Sequence, residues 1–282
     1  TACGSSVNMV SGNEYHTETD LTIKGRGLSF QFTRYYNSRQ PPSGWQAKPM
    51  GYGWNHTFNQ YLTFKDASFD GSSTAVDSDL LTSSVVWSDG SGGDKNIQIA
   101  SGASASGVAV GAVFAPPKAL YLTMAKLADG TYTITEKGGT VYTFQAAAGT
   151  VNQVARLISI KDRNNNVLTL TYVGNNLNSV TDGLHPNRVL KFSYDATTGL
   201  LIQVKDWTGR VFKYQYDSAG NLVAAFNPLS IAGAQPPTTY AYNNDGVLAH
   251  TMKSYTYPRG NGMTFEYYAN GRVFRHFTLP GI

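Results

Sequence analysis

A chain of 282 residues has room for one large β unit or two modest domains, and length does not choose between them. Its apolar fraction of 41%, charged fraction of 14%, 29 Gly and 18 Tyr favour strands and turns, and no long run has the 3.6 period of a helix. The net charge of +4 is scattered without a basic cluster, which argues against a nucleic-acid surface; with Cys3 as the single cysteine, neither an internal disulfide nor a cysteine metal cluster can form.

No apolar run approaches the ~20 residues that span a bilayer, and the start at Thr1 lacks the basic and apolar segments of a signal peptide. The expectation is a chain without membrane insertion that reads as a piece of a longer polypeptide.

Along the chain, the first ordered stretch alternates from Thr19 to Ile23, turns at Gly25-Arg26-Gly27 and resumes at Leu28. Leu28, Phe30 and Phe32 share one face and Ser29, Gln31 and Thr33 the other, the period-two pattern of a half-buried strand, so a hairpin is predicted. After a Pro-rich loop, Gly51-Tyr52-Gly53-Trp54 reads as a tight bend that turns Trp54 inward. The ordered motifs Ser11-Gly12-Asn13, Asp20-Leu21, Leu28-x-Phe30-x-Phe32-x-Arg34-Tyr35-Tyr36-Asn37-Ser38 and Gly51-x-Gly53-Trp54-x-His56-x-Phe58 resemble the module that precedes the repeats of RHS (rearrangement hotspot) proteins.

Residues 66–94 are rich in Ser, Asp and Gly, and their acids lack the spacing of a calcium loop. The Ala, Gly and Val run from Ile97 to Val113 fits a small-residue strand or an insertion equally well. Short runs at 120–122, 131–135 and 140–144, separated by Asp129-Gly130 and Gly138-Gly139, predict an antiparallel meander that reads as a diverged first repeat.

A clear repeat follows. Runs of alternating residues close on Tyr172, Tyr194, Tyr216, Tyr242 and Tyr267, at steps of 22, 22, 26 and 25. Before each anchor every second position is apolar (Leu168 and Leu170, Leu190 and Phe192, Phe212 and Tyr214) and the intervening ones are mostly polar. Asn176, Gly199, Gly220, Gly246 and Gly271 stand four or five positions beyond the anchors and are predicted turn positions, since these residue types accept a positive φ. Each unit is a strand, turn and strand that must stack on neighbours to bury its apolar face. The pairs Tyr194-Asp195 and Tyr216-Asp217 resemble YD repeats; because Val173, Asn243 and Tyr268 replace the aspartate elsewhere, its role is read as turn chemistry.

Chemistry-bearing residues are sparse. His16, His56, His185, His250 and His276 form no ligand pair in sequence, the four glutamates Glu14, Glu18, Glu136 and Glu266 sit in no hydrolase motif, and no Gly-x-Ser-x-Gly elbow is present. Trp45, Tyr52 and Trp207, with Tyr35 and Tyr36, are candidates for stacking on sugar rings if exposed.

The predicted fold is therefore all-β: a module at 1–64, a β meander with Ser/Gly/Ala-rich loops at 65–150, and about five hairpin repeats at 151–282 stacked into an extended, curved sheet. The resemblance implies a non-enzymatic scaffold without cofactor or metal, part of a bacterial, secreted or surface shell that encloses a toxin or other cargo. Its partners would be further parts of a larger chain, further copies of itself, or glycans. A carbohydrate-binding or adhesion module and a self-assembling surface protein are the alternatives.

Overall fold

The computed structural model describes residues 7–8, 10–25, 27–39, 49–65, 84–104, 107–146 and 154–281; Cys3 and Trp45 lie outside them. The predicted first hairpin is present as β2 (Asn13–Ile23) and β3 (Phe30–Asn37), antiparallel with a bulge between Thr19 and Leu21. With β1 (Val7–Asn8) and β4 (Trp54–His56) they make a four-stranded sheet in the order β1-β2-β3-β4. Phe30, Phe32, Tyr36 and Trp54 are all fully buried, far more than one face of an isolated four-stranded sheet could achieve, so a second layer must cover them.

That layer is one antiparallel sheet of 18 strands, eight of which close into a ring. The closure begins with β5 (Tyr61–Lys65), β6 (Ser84–Ser88), β7 (Asp94–Ser104), β8 (Gly107–Ala115), β9 (Leu122–Lys126), β10 (Tyr132–Glu136), β11 (Val141–Ala146) and β12 (Val154–Lys161). The first half of β12 pairs with β5 (Val154 with Thr63, Arg156 with Tyr61), while its second half, Ser159 to Lys161, pairs with β13 (Val167–Val173). β12 is thus a branch point. Eight strands return through it to β5, an even number, as an all-antiparallel ring requires. Phe64, Val85, Trp87, Ile97, Tyr132, Ile134, Phe144 and Leu157 from this ring are buried. The expected module boundary at 64 falls inside β5, which belongs to the ring and not to the four-stranded sheet.

From the branch, β13 leads through β14 (Asn176–Thr181), β15 (Val189–Tyr194), β16 (Leu201–Lys205), β17 (Val211–Tyr216), β18 (Leu222–Phe226), β19 (Thr238–Tyr242), β20 (Met252–Thr256) and β21 (Gly262–Tyr267) to β22 (Val273–Leu279), each paired antiparallel with the next. β5 already has β6 on one edge and β12 on the other, so it offers no free edge to β22. The two long repeat steps have local causes. A short helix α1 (Pro228–Ile231), capped by Asn227, lies between β18 and β19, and a 3-10 turn at Gly246–Leu248 lies between β19 and β20.

Leu168, Leu170, Leu190, Phe192, Phe212, Tyr214, Tyr240 and Phe265 are buried on one face of this run. The four-stranded sheet lies against that face: Phe30 meets Trp207 at 4.9 Å, Phe32 meets Phe192 at 5.9 Å, and Trp54 meets Tyr240 at 5.0 Å between ring centroids. Burying one such aromatic side chain contributes about 1.5–3 kcal/mol, so this seam is a principal source of stability.

Candidate functional site: a bulge row and the seam beneath it

At every anchor tyrosine the ladder slips by one residue. Tyr172 pairs with Leu177 and Thr171 with Ser179, which leaves Asn178 unopposed; Tyr194 with Leu201, Tyr216 with Leu222, Tyr242 with Met252 and Tyr267 with Val273 do the same. Phe144 and Leu157, with a slip between Thr143 and Phe144, form an earlier bulge of identical kind, so β11 and β12 carry the repeat geometry without its tyrosine. A bulge turns the strand and increases its twist, and a row of them at one level curves the whole sheet.

A bulge also leaves backbone groups for something else to satisfy. Tyr172 donates its hydroxyl to the Leu157 carbonyl at 2.8 Å, Tyr216 to Leu201 at 2.7 Å, Tyr242 to Leu222 at 2.9 Å and Tyr267 to Met252 at 2.7 Å. Each receiver is the bulge residue of the preceding hairpin, opposite Phe144 for Leu157 and opposite an anchor tyrosine for the others. For Tyr194 the backbone partner is Leu177, the bulge residue opposite Tyr172. Burial drives the phenols of all five anchors well above their usual pKa, which keeps them protonated as donors.

The bulge amides are covered chiefly from the N-terminal side of the chain. Leu157 N–H donates to Gln60 O at 3.1 Å, Leu201 to Pro49 O at 2.6 Å, Met252 to the Tyr36 hydroxyl at 2.7 Å and Val273 to Gly12 O at 2.8 Å. Gly12, Tyr36, Pro49 and Gln60, all from the N-terminal side of the chain, therefore supply the acceptors that the bulge row lacks.

Beneath the row lies a buried charged cluster. Arg34, 2% exposed, donates to both oxygens of Asp20 at 2.7 and 2.9 Å and to the Tyr240 hydroxyl at 3.0 Å, while Tyr214 donates to Asp20 at 2.7 Å. The guanidinium also lies 5.2 Å from the Trp54 ring centre. Burial penalises its charge, but Asp20 and the two phenols outweigh that, so the Arg34 pKa stands well above its ordinary value. Beside it Glu18 joins His16 at 2.8 Å and accepts from Tyr257; burial pulls its pKa up, yet His16, Tyr257 and Arg34 together hold it below the usual range. These side chains are committed to one another, a geometry for locking two sheets rather than for proton transfer to a substrate.

The predicted turn residues are mostly at turns. Gly199, Gly220, Gly246 and Gly271 have φ of +71°, +84°, +51° and +77°. Asn176 does not: it is the first residue of β14, paired with Val173, and the positive φ of +57° falls on Gly174 instead. A glycine two positions earlier closes the shorter turn, and the asparagine is released to the ladder. Asp162, Asp206 and Asp217 accept from backbone amides two and four positions on, and Asp195 from those two and three on, which is hydrogen bonding within the turn.

The aromatic candidates for stacking on sugar are scattered. Trp207 is half-buried between Phe30 and Arg188; Tyr36 is buried completely; Tyr35 is half-buried beside Tyr15. Tyr52 stacks on His250 with centroids 3.6 Å apart, at the lip of a cleft of about 180 Å³ that Arg39, Val247, Thr251 and Asn270 also line. Among the described residues no three His, Cys, Asp or Glu side chains gather as a metal set, and no helix is long and apolar enough to cross a membrane.

The architecture defines a class first: a curved, bulge-punctuated antiparallel sheet with an N-terminal sheet bound to one face. A family model described as the teneurin YD-shell matches residues 121–234, and a domain of unknown function, DUF6531, matches 4–91. Residues 121–234 are thus similar to the YD-shell family, in keeping with the resemblance to RHS/YD-repeat proteins read from the sequence. None of the curated proteins compared with it is significantly similar. Among solved structures, the chain resembles one in the TcdB2–TccC3–Cdc42 complex, with 14% identity, a TM-score of 0.45, and coverage of 96% of this chain and 16% of that one. The Tc holotoxin pore of Photorhabdus luminescens gives 13% identity and a TM-score of 0.41 over 96% of this chain and 15% of that one. The N-terminal domain of the effector SpvB from Salmonella typhimurium gives 12% identity and a TM-score of 0.36 over 94% and 98%. The chain spans about a sixth of the length of the first two.

Proposed function

We propose that this chain is a non-enzymatic wall segment of an RHS/YD-repeat shell, which curves around and sequesters a cargo such as a toxin domain, in a secreted or surface-delivered bacterial protein. The observation that carries the reading is the bulge row. Slips at one level of consecutive hairpins, buttressed by Gly12, Tyr36, Pro49 and Gln60, build curvature into the sheet. Its buried charges pair with each other, as suits a wall.

Electron microscopy of particles of the polypeptide that bears this segment, with limited proteolysis of the same sample, tests the reading. A closed particle whose interior domain resists protease until the wall is denatured is expected; an open rod with a protease-sensitive interior overturns it. A second reading, glycan binding, is favoured only by the Tyr52–His250 stack at the lip of its cleft. It predicts saturable binding on a glycan array that Tyr52→Ala abolishes.

A further inference from the structure

We infer that acid lifts one end of the N-terminal sheet off the repeat sheet, at His56, while the cluster around Arg34 holds the other end as a hinge. The device lies in the packing of the two sheets and is independent of the wall-segment reading.

His56 ends β4 and is 1% exposed, its ring 5.0 Å from Phe32 of β3 and 6.2 Å from Phe192 of β15, so it stands in the seam itself. Nδ1 accepts from Phe58 N–H at 3.3 Å, which puts the proton of the neutral ring on Nε2. Nε2 is buried and has no partner among the described residues. A second proton has to go on Nδ1. It ends the Phe58 bond and leaves a cation with two unmet donors between phenyl rings. No counter-ion is at hand among the described residues. Arg34, opposite His56 in the ladder, is itself a cation and takes both oxygens of Asp20, to which Tyr214 also donates. In the turn between β6 and β7, which packs on the His56 carbonyl at Gly90, Asp89 pairs with Lys95; β15 brings one charge, Lys191, exposed on its other face. The ring therefore takes a proton only when the seam opens and water reaches it, and opening is tied to pH.

The far end of the seam answers acid differently. His16, 4% exposed, has Nε2 2.8 Å from Glu18 and its ring 4.2 Å from that of Tyr255 on β20. Glu18 is held below the usual carboxylate range, so it keeps its charge as pH falls, and a proton on His16 adds to the ion pair. Tyr240 and Tyr257, also against the ring, stay neutral in acid. The bulge amides held by N-terminal acceptors sort along the same axis. Leu157 and Leu201, on Gln60 and Pro49, belong to β12 and β16 at the His56 end; Met252 and Val273, on Tyr36 and Gly12, belong to β20 and β22 at the His16 end.

Hydrogen exchange of the intact chain at pH 7 and 4.5, corrected for the intrinsic rate at each pH, reads the four amides separately. The opened ring has the ordinary histidine pKa of ~6.5 and the closed one about 3, so protection of Leu157 and Leu201 should fall about a hundredfold, and that of Met252 and Val273 less than about threefold. His56→Phe fills the same space without titrating, and His56→Asn keeps an acceptor near the place of Nδ1; each should abolish the fall at Leu157 and Leu201. Imidazole nitrogen NMR of the unaltered chain is a check that needs no variant: at pH 4.5 the closed ring stays neutral, with its proton on Nε2. Equal loss at all four amides overturns the hinge, and a fall that survives in both variants overturns His56 as the trigger. Unchanged protection at all four, or a ring that takes its proton near pH 6.5 while the seam stays closed, overturns the release itself.

Discussion

His56 shows how one side chain can set the pH range of the fold. It is fully buried between Phe32 and Phe192, its Nδ1 accepts from Phe58 N–H at 3.3 Å, and burial pushes its pKa down to about 3. The folded state keeps the ring neutral while the unfolded chain takes a proton below pH ~6.5, so stability is lost progressively as pH falls from there toward 3. Urea denaturation at pH 7 and 4.5 should show the native chain losing about 2–3 kcal/mol more than His56→Phe over that interval. The anchor tyrosines make a smaller, repeated contribution: Tyr216→Phe leaves the Leu201 carbonyl bare and should cost about 1 kcal/mol in the same assay. The five anchors were visible in the sequence by their spacing. Their receivers were not, because a carbonyl has no side-chain signature.

At the scale of elements, turns and bulges divide the work of shaping the sheet. The alternation of Leu168 with Thr169 or Phe212 with Lys213 predicts strands, and the Asp-to-Gly spacing predicts turns, because both depend on neighbours in sequence. Bulges depend on what lies across the strand, so no residue type announces them. Gly51 separates the two kinds of glycine. Its φ is +82°, and a Cβ there would stand 2.2 Å from the Gly220 carbonyl, whereas a Cβ at Gly130, φ +86°, would meet nothing within 4 Å. Gly130→Ala should therefore cost about 1 kcal/mol of backbone strain, and Gly51→Ala at least about 3 kcal/mol, since it also forces β4 away from the repeat sheet. Thermal denaturation of the two variants side by side checks the difference.

In the whole molecule, the N-terminal sheet and the repeat sheet are held together by hydrogen bonds made to a buried ion pair of the N-terminal sheet as well as by apolar packing. Arg34 reaches Tyr240 across 206 positions of sequence and Asp20 receives Tyr214 across 194. Removing one partner strands the other charge, so Arg34→Ala should cost about 3–5 kcal/mol. Asp20→Asn with Arg34→Met should cost less than the sum of the single changes, a coupling that a double-mutant cycle in urea measures. The motif that holds Arg34 was legible in the sequence, and its strand was too. That an arginine on β3 would be sealed rather than exposed was not, because its partners come from β2, β17 and β19.

The sequence by itself determined the class: period-two strands, a recurring tyrosine step and turn-forming aspartates specify stacked hairpins, since each is a relation among nearby positions of the chain. The tertiary structure alone decided the branch at β12, the bulge row and the seating of Gly12, Tyr36, Pro49 and Gln60 along it. These are settled by backbone hydrogen bonds that must be satisfied once the strands are side by side, and a backbone group is the same at every position of the chain until a neighbour arrives to take it.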